Sequence, residues 1–124
     1  MSASDILVTW PKARTLESYL SACAEAEVDG KVVNFRVERE ITIRGIKRRC
    51  YRVYDGRVRG WLEIIGCQWR EKDVVERVDS EGMWPSGWYI VCDPQWHSIP
   101  DNHQLSMRGF QGWRWFDREL VGGY

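Results

Sequence analysis

The 124-residue chain has no apolar run near the ~18 residues that cross a bilayer. Its opening stretch, MSASDILVTWPKA, lacks the basic start and long apolar core of a secretory leader. Both absences predict a soluble protein of the cytoplasm. Cysteine is sparse: Cys23, Cys50, Cys67 and Cys92 form no C-x-x-C pair and have no histidine at ligand spacing, which argues against zinc. Two disulfides stay formally open, but all four lie in apolar stretches, where a free thiol serves as a small hydrophobe. There is no phosphate-cradling glycine loop, no nucleophile-elbow context around Ser86 or Ser98, no repeat and no linker. No metal or other cofactor is implied. Residues 1–124 are expected to form one domain with one core.

Lysine is scarce as well. Of 18 basic residues only four are Lys and 14 are Arg, the side chain whose planar fork suits phosphates and base edges. The formal net charge is zero, yet the charge is unevenly placed. Between Arg36 and Arg59 nine basic residues face three acidic ones, so this segment carries +6 and the rest −6. Such asymmetry points to an anionic partner.

Periodicity predicts an α+β chain. Thr15 can cap a helix running to about Ala26, with Leu16, Tyr19, Leu20 and Cys23 on one stripe. Glu25 and Glu27 sit at the wrong end of its dipole, so fraying is expected there. Asp29-Gly30 closes it, and Lys31–Val37 reads as a strand. Arg39–Ile46 is either a short strand or a basic loop. The strongest local pattern is CYRVY-DG-RVRGWLEIIGCQW, two alternating strands joined by a type I′ turn at Asp55-Gly56, with Gly60 and Gly66 as bulges or kinks. Residues 70–82 suit a short second helix, WYIVCD a strand, 94–105 an irregular segment, and MRGFQGWRWF a closing strand with a glycine bulge. The expected architecture is a small, mostly antiparallel β-barrel with an N-terminal helix.

Tryptophan is abundant, at eight residues. Trp61, Trp88 and Trp113 lie in predicted strands and suit a core. Trp69, Trp84 and Trp96 lie in or beside predicted loops, where indoles can stack on bases. His97 and His103, with Asp93 and Asp101 nearby, read as ordinary loop residues, because spacing within a loop fixes no geometry.

The order of these features resembles the ASCH branch of the PUA-like superfamily. The match comprises the N-terminal helix, Gly30-Lys31 leading to a strand ending at Arg36, the hairpin RCYRVYDGRVRGWLEIIG, then GWYIV and an aromatic closing strand. Gly56-Arg57-Val58-Arg59-Gly60 copies the family's G-x-V-x-G turn, and the resemblance spans roughly residues 15–116. It implies a barrel with a cleft for RNA or, as in the related EVE branch, for a modified DNA base. On that reading Arg44, Lys47, Arg48, Arg49 and Arg59 contact phosphates, and Trp84 and Trp96 wall a base pocket. Some members resemble small amidohydrolases acting on N4-acetylcytidine, with a Lys, a Thr three residues on and an Arg two further. Here Lys31, Asn34 and Arg36 hold that spacing. Asn34 has no nucleophilic oxygen, so Lys31 and Glu63 would carry any such chemistry and Asn34 would only position substrate. A third reading makes the chain a protein-binding factor, for example a mobile-element inhibitor of a host protein, docked by its charge dipole.

Overall fold

The computed structural model describes residues 4–9, 15–71, 86–110 and 112–124. Helix α1 spans Leu16–Val28. The Thr15 hydroxyl accepts from Ser18 N–H at 3.1 Å and caps its first turn. Helix α1 runs two residues past the expected end at Ala26, to Val28, and is closed by a left-handed Gly30 (φ 69°), with Lys31 N–H donating to Ala26 C=O at 2.8 Å. Tyr19, Cys23 and Ala26 are its buried stripe.

Seven strands follow the order β2-β5-β4-β3-β1-β7, with β6 on β4. They are β1 (Asp5–Thr9), β2 (Val33–Val37), β3 (Arg49–Tyr54), β4 (Arg57–Arg70), β5 (Gly87–Cys92), β6 (His97–Ser98) and β7 (Trp113–Phe116). All ladders are antiparallel except β1 with β3. The β3–β4 hairpin turns at Asp55 (φ 49°) and Gly56 (φ 74°), the two positive φ values that a type I′ turn needs. The register slips opposite Arg59 and again at Ile65, beside Gly60 and Gly66. These bulges let the 14-residue β4 bend, so its first half pairs with β3 and its second with β5.

The sheet does not close into the expected barrel: among the described residues no ladder joins β2 to β7. Among the described residues, side chains bridge the gap. Trp113 Nε1 donates to Glu38 Oε1 at 3.2 Å, and the Arg39 guanidinium lies 5.3 Å from the Trp113 ring. The physical reason is the path of the chain. After Val37 the backbone leaves β2 as the irregular 38–48 connection, so no further strand residues remain to pair with β7.

Alternation along the strands separates two cores. Ile6, Val8, Cys50, Leu62, Ile64, Ile90 and Cys92 face α1 with Tyr19 and Cys23. On the other face Leu7, Tyr51, Val53, Val58 and Phe116 meet Ile99 and Val121 of the C-terminal segment. The predicted helix over 70–82 falls largely outside the described residues, although Arg70 itself ends β4. The closing strand is shorter than expected, since only Trp113–Phe116 of MRGFQGWRWF pairs. No described helix is long and apolar enough to cross a membrane.

Candidate functional site

The basic segment divides once it is folded. Arg49 stacks on Trp61 at 4.1 Å and donates to Tyr51 Oη and Gly123 C=O, both at 2.9 Å. His97 covers the ring as well, stacked at 3.9 Å and 8°. Both approaches are too close to share one face, so Trp61 is sandwiched between them. Arg59 donates to Tyr54 C=O at 2.9 Å and Gln104 Oε1 at 3.2 Å, and pairs with Asp55 at 3.9 Å. These two predicted phosphate contacts hold the hairpin and the C-terminal segment together. Arg118, absent from the predicted set, forms a bidentate pair with buried Asp5, both bonds 2.8 Å, and Asp5 also accepts from Arg49 N–H. The Asp5 hydrogen bond raises the Arg118 pKa.

Arg44 and Lys47 differ: both are exposed and neither side chain has a partner among the described residues. Arg48 folds back, its Nε donating to Arg44 C=O at 2.6 Å over Gly45. This connection meets β7 at both ends. Glu38 and Arg39 touch Trp113 at its start, and Lys47 C=O accepts from Arg118 Nη2 at 3.2 Å just beyond its end. Along β7, Trp113 and Trp115 form an edge-to-face pair at 5.1 Å and 88°, with Trp115 45 % exposed. Between them Arg114 turns to the opposite face and covers Phe110 at 4.3 Å. The result is a strip of indole and guanidinium surface along the seam.

Trp113, expected in the core, is half-buried and packs against the α1-side core, whereas Trp115 and Arg39 were not singled out. The only pattern that could have found them is W-R-W beside Gly112, a short alternating strand with two large indoles on one face. That the basic connection runs past it depends on β7 pairing with β1, which no local pattern reveals. Of the two predicted pocket walls, Trp84 lies outside the described residues. Trp96 is half-buried and serves the core: its ring lies edge-on to Tyr19 at 5.8 Å and fills the space where Gly60 lacks a side chain. Its Nε1 donates to Ser98 Oγ at 2.9 Å.

The residues of the acyl-transfer reading come from the α1–β2 junction, β2 and β4. Lys31 is exposed at the α1–β2 junction, Asn34 is buried in β2, and Glu63 is exposed opposite Arg49. The pleat that sends Leu62 and Ile64 inward turns Glu63 out, and no hydrogen bond or ion pair joins Glu63 to Lys31.

Beneath the sheet lies a polar interior that the sequence did not announce. Arg52, 3 % exposed, sits with its guanidinium 5.4 Å from the Tyr19 ring and 5.6 Å from the Phe35 ring. Cys50 and Cys92 meet beside it. Their hydrogen bond, with help from Arg52 and against burial, makes the pair's first proton easier to lose, at about 7. The second proton is held far more tightly. Burial pushes the Tyr19 phenol well up. All four cysteines are free thiols. Among the described residues no three His, Cys, Asp or Glu side chains converge on a point.

No family model matches the chain, and neither curated proteins nor solved structures give a match.

Proposed function

We propose that the chain is a non-catalytic nucleic-acid recognition domain of the PUA-like, ASCH-related kind, working in the cytoplasm. On this reading its curled sheet is a barrel of that type left open at the β2–β7 seam. The ligand is an RNA or DNA strand whose unpaired or modified bases can reach an indole. The observation that carries the reading is the seam itself. The Trp113–Trp115 pair, half-buried at Trp113 and exposed at Trp115, lies beside a connection whose Arg44 and Lys47 side chains have no partner among the described residues, with the Arg39 guanidinium 5.3 Å from the Trp113 ring. Cations that track a backbone beside aromatic faces that accept bases are the two elements of single-strand binding.

Tryptophan fluorescence titration with short RNA and DNA oligonucleotides, with and without modified bases, tests it at two salt concentrations. The expected result is saturable quenching that weakens at higher salt. Trp115→Ala is expected to cost about 1–3 kcal/mol of binding. Arg44→Ala is expected to lower the salt slope by about one. Absence of quenching by every oligonucleotide at low salt would overturn the reading and shift attention to a protein partner.

A further inference from the structure

At the end of the β2–β5–β4 ladder, the sheet face opposite α1 carries two arginines that no group among the described residues satisfies. Arg36 of β2 is in register with Tyr89, and Arg70, the last residue of β4, with Gly87. Directly paired residues, and residues two apart on a strand, project to one face of an antiparallel sheet. Arg36, Tyr89, Gly87 and Arg70 therefore share a face. Gly87 has no side chain, and Arg36 uses that space. Its Nε lies 3.3 Å, and its Nη2 3.7 Å, from the point where a Gly87 Cβ would stand. The Arg36 guanidinium thus leans across β5 toward the row that holds Arg70.

Neither arginine has an acceptor among the described residues. Arg36 is exposed and makes no hydrogen bond or ion pair with any described residue. Arg70 is half-buried, and its Nε is fully buried without a partner. The acid next to it in the chain, Glu71, is already engaged, accepting from Trp69 Nε1 at 2.9 Å and from Ser86 Oγ at 3.4 Å. A buried N–H without an acceptor costs free energy, and two like charges drawn to one patch cost more. An oxyanion with several acceptor oxygens removes both costs, and the guanidinium fork matches a phosphate in shape.

We propose that Arg36 and Arg70, across Gly87, form a binding site for a phosphate group, supplied either by a nucleic-acid backbone or by a free phosphate ester. The site lies apart from the Trp113–Trp115 seam and does not rest on the reading given to that seam.

The test follows the Nε–H resonance of Arg70 in the ¹⁵N-labelled full chain, assigned by its loss in Arg70→Lys. Inorganic phosphate, a nucleoside 5′-monophosphate and a single-stranded oligonucleotide without terminal phosphates are titrated separately, with sodium chloride at matched ionic strength as reference. A saturable shift of this resonance, absent with chloride, is expected from at least one of them. If the oligonucleotide acts at the lowest concentration, the source is a backbone phosphodiester; if only the first two act, it is a free phosphate or its ester. Arg36→Gln is expected to weaken the response roughly tenfold or more, as loss of a charge-assisted hydrogen bond does. Gly87→Ala, which keeps both charges but crowds the Arg36 guanidinium, is expected to weaken it too. Retained dispersion of the amide spectrum shows that each variant folds. No shift with any of the three ligands, or a shift unchanged in both variants, overturns the proposal. Failure here leaves the seam untouched, because the seam is read through indole quenching.

Discussion

Two regions of this small sheet use the same residue type in opposite ways. Against the C-terminal segment three arginines are spent on protein acceptors: Arg49 on Tyr51 and Gly123, Arg59 on Tyr54 and Gln104, Arg118 on Asp5. Around β2 and the connection that leaves it, Arg36, Arg44, Lys47 and Arg70 have no such acceptors among the described residues. An arginine whose hydrogen bonds are met by backbone carbonyls holds a fold together. One left without acceptors is available to a ligand. A charge map of the sequence cannot separate the two, because the difference lies in what the fold brings opposite each fork.

The largest expected effect comes from emptying the committed region. Asp5→Ala leaves Arg118 without its bidentate partner and Arg49 N–H without its acceptor. We expect a loss of about 3 kcal/mol in urea unfolding, at the low end for a broken buried pair because Arg118 keeps 28 % of its side-chain surface exposed. Gly60→Ala ranks next. A Cβ there meets the His97 carbonyl and the Trp96 ring, and the carbonyl is held in the β4–β6 ladder, so about 1–3 kcal/mol of overpacking is expected. Its companion sign is a shift in tryptophan emission.

A paired measurement then tests the contrast directly. Arg59→Ala is expected to cost about 1 kcal/mol of stability, the net worth of its hydrogen bonds. Arg44→Ala is expected to stay within about 0.5 kcal/mol of the parent in the same assay. Equal losses at both positions would erase the distinction between the two regions. The smallest effect at neutral pH concerns the interior. Tyr19 ionises less readily folded than unfolded, so the stability it contributes is whole below pH 10 and is lost as pH rises beyond it. Tyr19→Phe removes the ionisation, and its unfolding midpoint is expected to hold to higher pH than the parent's. An unchanged alkaline transition would place the loss elsewhere.

Much of the fold was legible because much of it is local. The Thr15 cap, the Tyr19–Cys23 stripe and the Asp55-Gly56 turn each draw on residues within a few positions of one another, and each appears where the pattern placed it. The candidate site was less legible. Arg44 and Lys47 are exposed as expected, but Arg49, Arg59 and Trp96 are taken up by neighbours that lie far off in sequence or across a turn. Trp115 and Arg70 gave no sign of their setting, since an indole or a fork in a strand looks the same whether its face is covered or open.

The sequence by itself determined the helix, the hairpin, the bulges in β4 and the alternation that sorts each strand into two faces. These depend on backbone preference and on side-chain period, which act over one turn of helix or one pair of strands. Tertiary structure alone decided that β1 lies parallel to β3, that β7 ends the sheet beside the basic connection, and that Arg52 stands between Tyr19 and Phe35. Those outcomes depend on the free energy of burying two faces at once. That quantity belongs to the assembled sheet and not to any segment of the chain.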